Sequence, residues 1–237
     1  MLIEETTTIR ELLLKHPQTR KVFEQYAIDY CCGGLHNLKT AAELAEIPIK
    51  PLIEAIESAI ASRHPSERNW AHASPTQIVD HIQQAHHAYL KDELPRLHAL
   101  IEKVLAAHPA HQAMLSNVKH NFDQLEAELH AHLLKEEQVL FPHIRQMETA
   151  RREGLKIALP MSAGGPVRQM ETEHEAAGRA LNAIRDATSD YTLPEDACIT
   201  FRSLFESLKE FEKDTHEHIH LENNILFPGG LVRSFPK

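Results

Sequence analysis

The feature that most constrains the fold of this chain is a motif that occurs twice. Residues 132–142 read HLLKEEQVLFP, and residues 218–228 read HIHLENNILFP. Both copies fit the frame His-x-x-x-Glu-x-x-(Val/Ile)-Leu-Phe-Pro. Because residues four apart lie on one face of a helix, each copy directs one imidazole and one carboxylate into the same space. Two similar helix ends packed through aromatic residues would explain the shared Leu-Phe-Pro, but not the matched His and Glu.

The spacing of the motif indicates a duplicated pair of helices. His132 and His218 are 86 residues apart, and a similar step back from His174 reaches His87. His87 precedes His132 by 45 residues, and His174 precedes His218 by 44. The neighbouring His86 lies closer to the middle of the apolar stripe on its helix, so the residues alone leave His86 and His87 both open.

The rest of the chain predicts an all-α fold. Ser74-Pro75-Thr76-Gln77 has the pattern of a helix start, and Pro95 should kink the helix that follows. We predict four long helices, the last three over about 110–150, 167–187 and 195–228, with a loop at 154–166. They should pack as an antiparallel four-helix bundle within a domain at 74–232.

A smaller helical domain is predicted at residues 1–62. Capping boxes are expected at Thr8–Glu11 and Thr40–Glu43, and Pro51 suits the first turn of a further helix. Residues 61–75 lack periodicity and are predicted to form a linker. A unit of this size has a marginal core. We therefore expect it to pack on the rest of the chain or on a partner subunit, which leaves a homodimer open.

The residue types of the repeat favour a pair of metal ions. Four imidazoles and two carboxylates inside a bundle are typical of di-iron or di-manganese carboxylate sites, whereas zinc and copper sites more often use thiolates. The expected ligands are one histidine of the His86–His87 pair together with His132, Glu136, His174, His218 and Glu222. Glu137 and His220 are not repeated in the other copy and are not expected to be ligands. His130 and His216 should face outward, because each precedes its ligand histidine by two residues.

Composition limits the other classes of function. The net charge of −9 argues against a nucleic-acid partner. Three cysteines among 237 residues do not make a secreted disulfide framework. The sequence shows neither a signal peptide nor an apolar run of membrane-spanning length. We expect a cytoplasmic protein with reduced thiols, in which Cys198 is a core thiol.

Several segments resemble the Repair of Iron Centres family, whose bundle is hemerythrin-like. The resemblance covers both copies of the repeat, DYCCGG at residues 29–34, HHAYLKDELP at 86–95 and ETEHEAAG at 171–178. It implies two non-haem iron ions with an oxo or hydroxo bridge, bound by four histidines and two bridging glutamates. It also implies His87 rather than His86 as the ligand, with His132, His174 and His218, and with Glu136 and Glu222 as the bridges.

The resemblance further implies repair of iron–sulfur proteins damaged by nitric oxide or peroxide, through donation of iron. Two alternatives use the same centre: reduction of nitric oxide, which would make the chain an enzyme, and binding of oxygen or nitric oxide as a sensor. A purely structural bundle would bind no metal. Cys31 and Cys32 could relay iron or nitric oxide, or contact a client protein, although adjacent thiols cannot chelate one metal as Cys-x-x-Cys does. The simpler interpretation is that Cys32 packs and Cys31 has no role.

Overall fold

The computed structural model describes residues 3–62, 70–155 and 164–231. The chain divides into two compact units, one of residues 1–78 and 219–237 and the other of residues 79–218. Within the described residues the elements are helical, apart from a single β-bridge between Thr8 and Asn37. The all-α prediction is confirmed. No helix in the described part of the chain has the length and apolar character needed to cross a membrane.

The first unit begins with four short α-helices. They are α1 (Ile9–Lys15), α2 (Arg20–Gln25), α3 (Leu38–Leu44) and α4 (Ile49–Ala61), with 3₁₀ turns at Pro17–Thr19 and Trp70–His72. The capping box of α1 forms as predicted, since Thr8 and Glu11 each accept a hydrogen bond from the other's backbone amide. The box predicted at Thr40 is wrong. Helix α3 begins three residues earlier than a helix capped by Thr40 would, and Asn37 caps it by accepting from the Thr40 amide at 2.8 Å.

These short helices share a small apolar core. Its most deeply buried members are Ile9, Phe23, Leu38, Leu52 and Ile56. The core side chains come from all four helices, so none of the helices could be removed without exposing the others. Such a core contributes a modest stabilisation, and the polar contacts described below therefore matter to its integrity.

The second unit is built from long helices. They are α5 (Pro75–His81), α6 (Ala88–Ala107), α7 (Gln112–Lys135), α8 (Phe141–Arg152), α9 (Gly164–Ala187) and α10 (Ile199–His220), of which α5 and α10 extend into the first unit. A 3₁₀ turn covers Pro109–His111, and π-helical segments cover Ile82–His87 and Glu136–Leu140; a third π-helical segment, Leu221–Leu231, belongs to the first unit. The predicted start of α5 is confirmed, because the Ser74 and Gln77 side chains each bond the other's backbone amide.

Helices of the second unit pack around an apolar core. Helix α7 packs against both α6 and α9. Phe122 of α7 contacts Phe211 of α10, with ring centroids 5.8 Å apart. On α6 the fully buried residues recur at helical spacing: Leu90, Leu94, Leu97 and Ile101. This apolar packing surrounds a polar patch in which the repeated histidines lie.

Two predicted connections fall partly outside the described residues. The linker predicted at 61–75 includes 63–69, and the loop predicted at 154–166 includes 156–163, which the structure does not describe. Helix α9 begins at Gly164, three residues before the predicted start. The domain limits of 1–62 and 74–232 stay a prediction.

Candidate metal centre

Three of the predicted ligands lie in π-helical segments that adjoin α-helices, whereas His174 lies inside α9. His87 ends the segment Ile82–His87, Glu136 opens Glu136–Leu140, and Glu222 lies within Leu221–Leu231. The sequence had predicted uninterrupted α-helices here. A π-turn accommodates one extra residue, changes the direction of the side chains around it, and is frequent at functional sites. These segments therefore belong to the construction of the centre.

Three of the predicted ligands form one buried group in the second unit. The Nε2 atoms of His87 and His218 are 3.3 Å apart. Oε2 of Glu136 lies 3.3 Å from Nε2 of His87 and 3.9 Å from Nε2 of His218. All three side chains are buried, and their ligand atoms lie close enough to bind a single metal ion.

A second group uses the other oxygen of the same carboxylate. Nε2 of His132 lies 3.3 Å from Oε1 of Glu136 and 3.1 Å from Nε2 of His174. These donors are also buried and also lie within metal-binding reach of one another. Glu136 thus directs one oxygen toward each pair of imidazoles, which is the arrangement of a carboxylate that bridges two cations.

The protonation pattern tests whether a cation fits. A carboxylate only accepts hydrogen bonds, so the Nδ1 atoms of His87 and His132 must carry the protons that bond their carboxylate partners. In the neutral rings, Nε2 then holds a lone pair aimed at Glu136. Glu136 is fully buried, and among the described residues neither of its oxygens accepts a hydrogen bond. Acceptors that face acceptors in a buried site need a cation between them, so the donor set fits a metal.

Two carboxylates outside these groups orient the histidines. Nδ1 of His87 donates to Glu137 at 2.9 Å, and Lys91 donates to both oxygens of Glu137 at 2.6 and 2.8 Å. Burial alone would raise the pKa of Glu137, but the hydrogen bonds from Lys91 and His87 outweigh burial and lower it. Glu137 thus stays charged and fixes the tautomer of the ligand, as carboxylates behind metal-bound histidines do.

The same arrangement recurs behind His132. Its Nδ1 donates to Glu173 at 2.8 Å, and Glu173 also accepts from Lys135 and from Gln169. Burial would raise the pKa of Glu173, but these donors together lower it to about 2. Each group of metal donors therefore contains one histidine that is held by a lysine-bound carboxylate. Sequence reasoning missed both carboxylates, since neither belongs to the repeated motif.

The remaining histidines lie largely as expected. His86 is buried and its ring stacks on that of His218, with centroids 5.8 Å apart, but its Nδ1 bonds Asp214 at 2.9 Å. His130 is exposed and His216 is partly exposed. His220 is buried, and its Nδ1 lies 3.1 Å from the side-chain amide of Asn224. Hence His87, not His86, joins the donor groups.

Glu222 follows His218 by one helical turn. Helix α10 and the segment Leu221–Leu231 are continuous, and the Glu222 side chain is fully buried. The spacing of four residues from His218 equals that of His132 and Glu136 in the first copy of the repeat. Its ligand role stays a prediction, taken up below.

The cysteine pair lies in the first unit. Cys31 is buried at 3% exposure and Cys32 is partly exposed, the opposite of the simpler expectation. Their sulfur atoms are 3.7 Å apart, and Sγ of Cys31 also lies 3.2 Å from the Asp29 carboxylate. The bond to Cys32, burial and the charge of Asp29 raise the pKa of Cys31 well above its usual value. Cys31 is therefore a protonated thiol at neutral pH, and Cys32 is the accessible member of the pair.

The prediction that Cys198 is a core thiol is wrong. Cys198 is exposed at the start of α10, where its carbonyl accepts from the Arg202 amide. Its sulfur lies 3.1 Å from Nε2 of His108. The apolar neighbours in Cys198-Ile-Thr-Phe suggested burial, but the side chain before a helix start projects outward and only Phe201 enters the core.

Two family models match the chain. The hemerythrin HHE cation binding domain matches residues 78–229. A domain of unknown function (DUF542), named ScdA_N, matches residues 5–60. The first match contains all the predicted metal ligands, and the second contains Cys31 and Cys32.

Curated relatives match over nearly the whole length. The iron-sulfur cluster repair protein YtfE of Escherichia coli O157:H7 is 36% identical over 222 residues, which cover 94% of this chain and 95% of the relative. The protein of the same name from Citrobacter koseri is 35% identical over 224 residues, with the same coverage of both chains. With both domain models and a full-length likeness of this kind, the chain belongs to the hemerythrin-like Repair of Iron Centres family.

Proposed function

We propose that the protein repairs damaged iron–sulfur clusters by releasing iron from its buried centre. The observation that carries the proposal is the placement of Glu136 between two pairs of imidazoles, with its two oxygens directed to opposite pairs. The names of the relatives supply the process, since both are iron-sulfur cluster repair proteins. The clients would be proteins whose clusters nitric oxide or peroxide has damaged.

The centre is proposed to hold two iron ions. His87 and His218 would bind one ion, His132 and His174 the other, and Glu136 and Glu222 would bridge them. Glu222 occupies the same position in the second copy of the repeat as Glu136 in the first. This match supports Glu222 as a ligand, as does its complete burial. Iron bound there would be redox-active and would exchange its ligands more readily in the ferrous state.

The ligands themselves favour release. Neutral imidazoles and two carboxylates bind ferrous iron less tightly than a set of thiolates does, and protons compete with metal for both ligand types. Glu137 and Glu173 hold two of the imidazoles in the binding tautomer, which opposes that competition. The centre would therefore retain iron at rest and give it up when a better acceptor site is presented.

The cysteine pair is proposed to act at the delivery step, in the cytoplasm. Cys32 is accessible and Cys31 stands directly behind it, so a client or a departing ion would meet Cys32 first. The segments 1–62 and 74–232 would then divide the work, with thiols on the first and metal ligands on the second.

Transfer of labelled iron tests this function. The reduced protein, loaded with ⁵⁷Fe without oxygen, is mixed with an enzyme whose cluster nitric oxide has damaged. We expect the label to appear in the restored cluster and the enzyme's activity to return. His174→Ala should abolish the transfer, whereas His120→Ala, which changes an exposed histidine, should leave it intact. Label that stays on the bundle while nitrous oxide accumulates would contradict iron donation and identify a nitric oxide reductase.

A further inference from the structure

The two copies of the repeat differ at the two residues that follow the glutamate. The first copy has Glu137 and Gln138, and the second has Asn223 and Asn224. Glu137 bonds a metal-binding histidine, and Gln138 is exposed. Both asparagines are instead buried, at 6% and 1% exposure. The duplicated position has therefore acquired a different partner in the second copy.

That partner is the backbone of the DYCCGG segment, within the first unit. The Asn224 amide donates to the carbonyls of Tyr30 and Cys31, at 3.1 Å each. The Asn223 amide donates to the same Cys31 carbonyl at 3.3 Å. Two side chains thus hold the peptide that carries the buried thiol.

Arg10 also bonds both asparagines. Its Nε donates to Oδ1 of Asn224, and its Nη2 donates to the Asn223 carbonyl, both at 2.9 Å. The charged donor fixes the orientation of the Asn224 amide, so that the NH₂ group points toward the cysteine segment. Arg10 lies on α1, which ties the first helix of the chain to the same cluster.

The cluster is packed so closely that residue 34 cannot carry a side chain. A Cβ atom on Gly34 would lie 2.0 Å from Oδ1 of Asn224, so only glycine permits this approach. The ring of Tyr30 meets the ring of His220 edge to face, with centroids 5.6 Å apart. The glycines of DYCCGG therefore serve close contact with the helix as well as the turn itself.

We propose that Asn223 and Asn224 are positioning residues that clamp the Cys31–Cys32 segment to the helical turn carrying Glu222. The clamp keeps Cys31 buried and leaves Cys32 as the thiol available to partners. Movement of that turn, on which a proposed iron ligand stands between His220 and Asn223, would then be transmitted to the thiols. The coupling to iron rests on the proposed function, whereas the clamp itself rests only on the contacts above.

Thiol labelling of the full-length protein tests the clamp. Iodoacetamide, which is neutral, is applied in the folded state, and mass spectrometry follows each cysteine separately. Loss of the Asn224 amide removes its bonds to the Tyr30 and Cys31 carbonyls, together with its contacts to Arg10 and His220. Asn224→Ala should therefore speed the labelling of Cys31 by about tenfold or more. Gln138→Ala changes the matching residue of the first copy and should leave the rate within about twofold of the parent.

The dependence on urea separates positioning from general stability. Local opening gives a labelling rate that does not change at low urea, whereas global unfolding gives a rate that rises with it. We expect the urea-independent rate to increase. Asn223→Ala removes the longer bond to the Cys31 carbonyl and leaves the bonds from Asn224 in place. It should give a smaller increase, which keeps the test available if Asn224→Ala does not fold.

Unchanged Cys31 labelling in the folded asparagine variants would overturn the clamp, as would an equal acceleration in Gln138→Ala. Iron transfer, measured on the same proteins, addresses the function independently. A variant with a loosened cysteine segment that still restores clusters at the parent rate would refute the role of the thiols while supporting the clamp.

Discussion

Nδ1 of His87 lies 2.9 Å from Oε1 of Glu137, and Lys91 donates to both oxygens of that carboxylate. This contact aims Nε2 of the ring at Glu136, 3.3 Å away. In the second group of donors, Nδ1 of His132 donates to Glu173 in the same way, and Lys135 donates to Glu173.

Glu137→Gln and Glu173→Gln should each weaken metal binding by about 10- to 100-fold, as loss of a carboxylate behind a metal-bound histidine does. The amide can still accept the histidine proton but lacks the charge that makes the ring more basic. Competition with a chelator measures the affinity. Glu175→Gln, which changes an exposed residue on α9, the helix of Glu173, is the control. Equal affinity in all three variants would contradict the role of these carboxylates.

Replacement of Glu136 by glutamine should change stability in opposite directions with and without metal. When the rings are neutral and no metal is bound, the carboxylate faces nitrogen lone pairs on both sides, and an amide donor would relieve one of these contacts. We expect metal-free Glu136→Gln to be more stable than the parent by about 1–3 kcal/mol. With metal bound, the parent should be more stable. Urea unfolding with and without a chelator measures both, and an effect of one sign in both states would contradict the interpretation.

Glu212 should be important to stability without affecting metal. It is 2% exposed and accepts from the Tyr191 hydroxyl at 2.9 Å and from Arg185 at 2.8 Å. Burial, together with the charge of Glu212, raises the pKa of Tyr191, and the contact anchors a left-handed run at Ser189–Tyr191.

Glu212→Ala leaves these donors without their acceptor and should cost about 2–4 kcal/mol. Denaturant unfolding of the protein measures this loss. The metal content of the folded variant should equal that of the parent. A loss below about 0.5 kcal/mol, the range of ordinary surface changes, would show that the network contributes little.

The three cysteines should differ in reactivity. Backbone amides at the start of α10, first that of Phe201, lower the pKa of the exposed Cys198, whereas the pKa of Cys31 is raised. Since the thiolate is the reactive form, Cys198 should label first and Cys31 last at pH 7. The pH midpoint of Cys198 labelling should lie below about 8.5, the ordinary thiol value. A midpoint at or above it would contradict the effect of the helix start.

The repeated motif predicted much of the centre because helical periodicity is a local property. A four-residue spacing fixes His132 beside Glu136 whatever the tertiary structure, and the family likeness selected His87. The supporting residues could not be found this way. Whether Glu173 reaches His132 depends on the register between α7 and α9, which no local pattern encodes.

The errors have similar causes. A π-turn inserts one residue without a distinct composition, so the segments around His87 and Glu136 were predicted as plain α-helix. Thr40 and Asn37 both suit a helix cap, and tertiary packing of Leu38 decided in favour of Asn37. Cys198 was judged by its apolar neighbours, although its position before α10 determines its exposure.

The count of iron ions tests the central claim, that the duplicated motif builds one buried centre for two metals. The protein is loaded with ferrous iron in the absence of oxygen, and unbound metal is removed. The iron content per chain and the Mössbauer spectrum are then measured. We predict two irons per chain in two similar sites that are magnetically coupled, and loss of both sites in Glu136→Ala but not in His120→Ala. One iron per chain, uncoupled irons, or equal loss in the two variants would contradict the account.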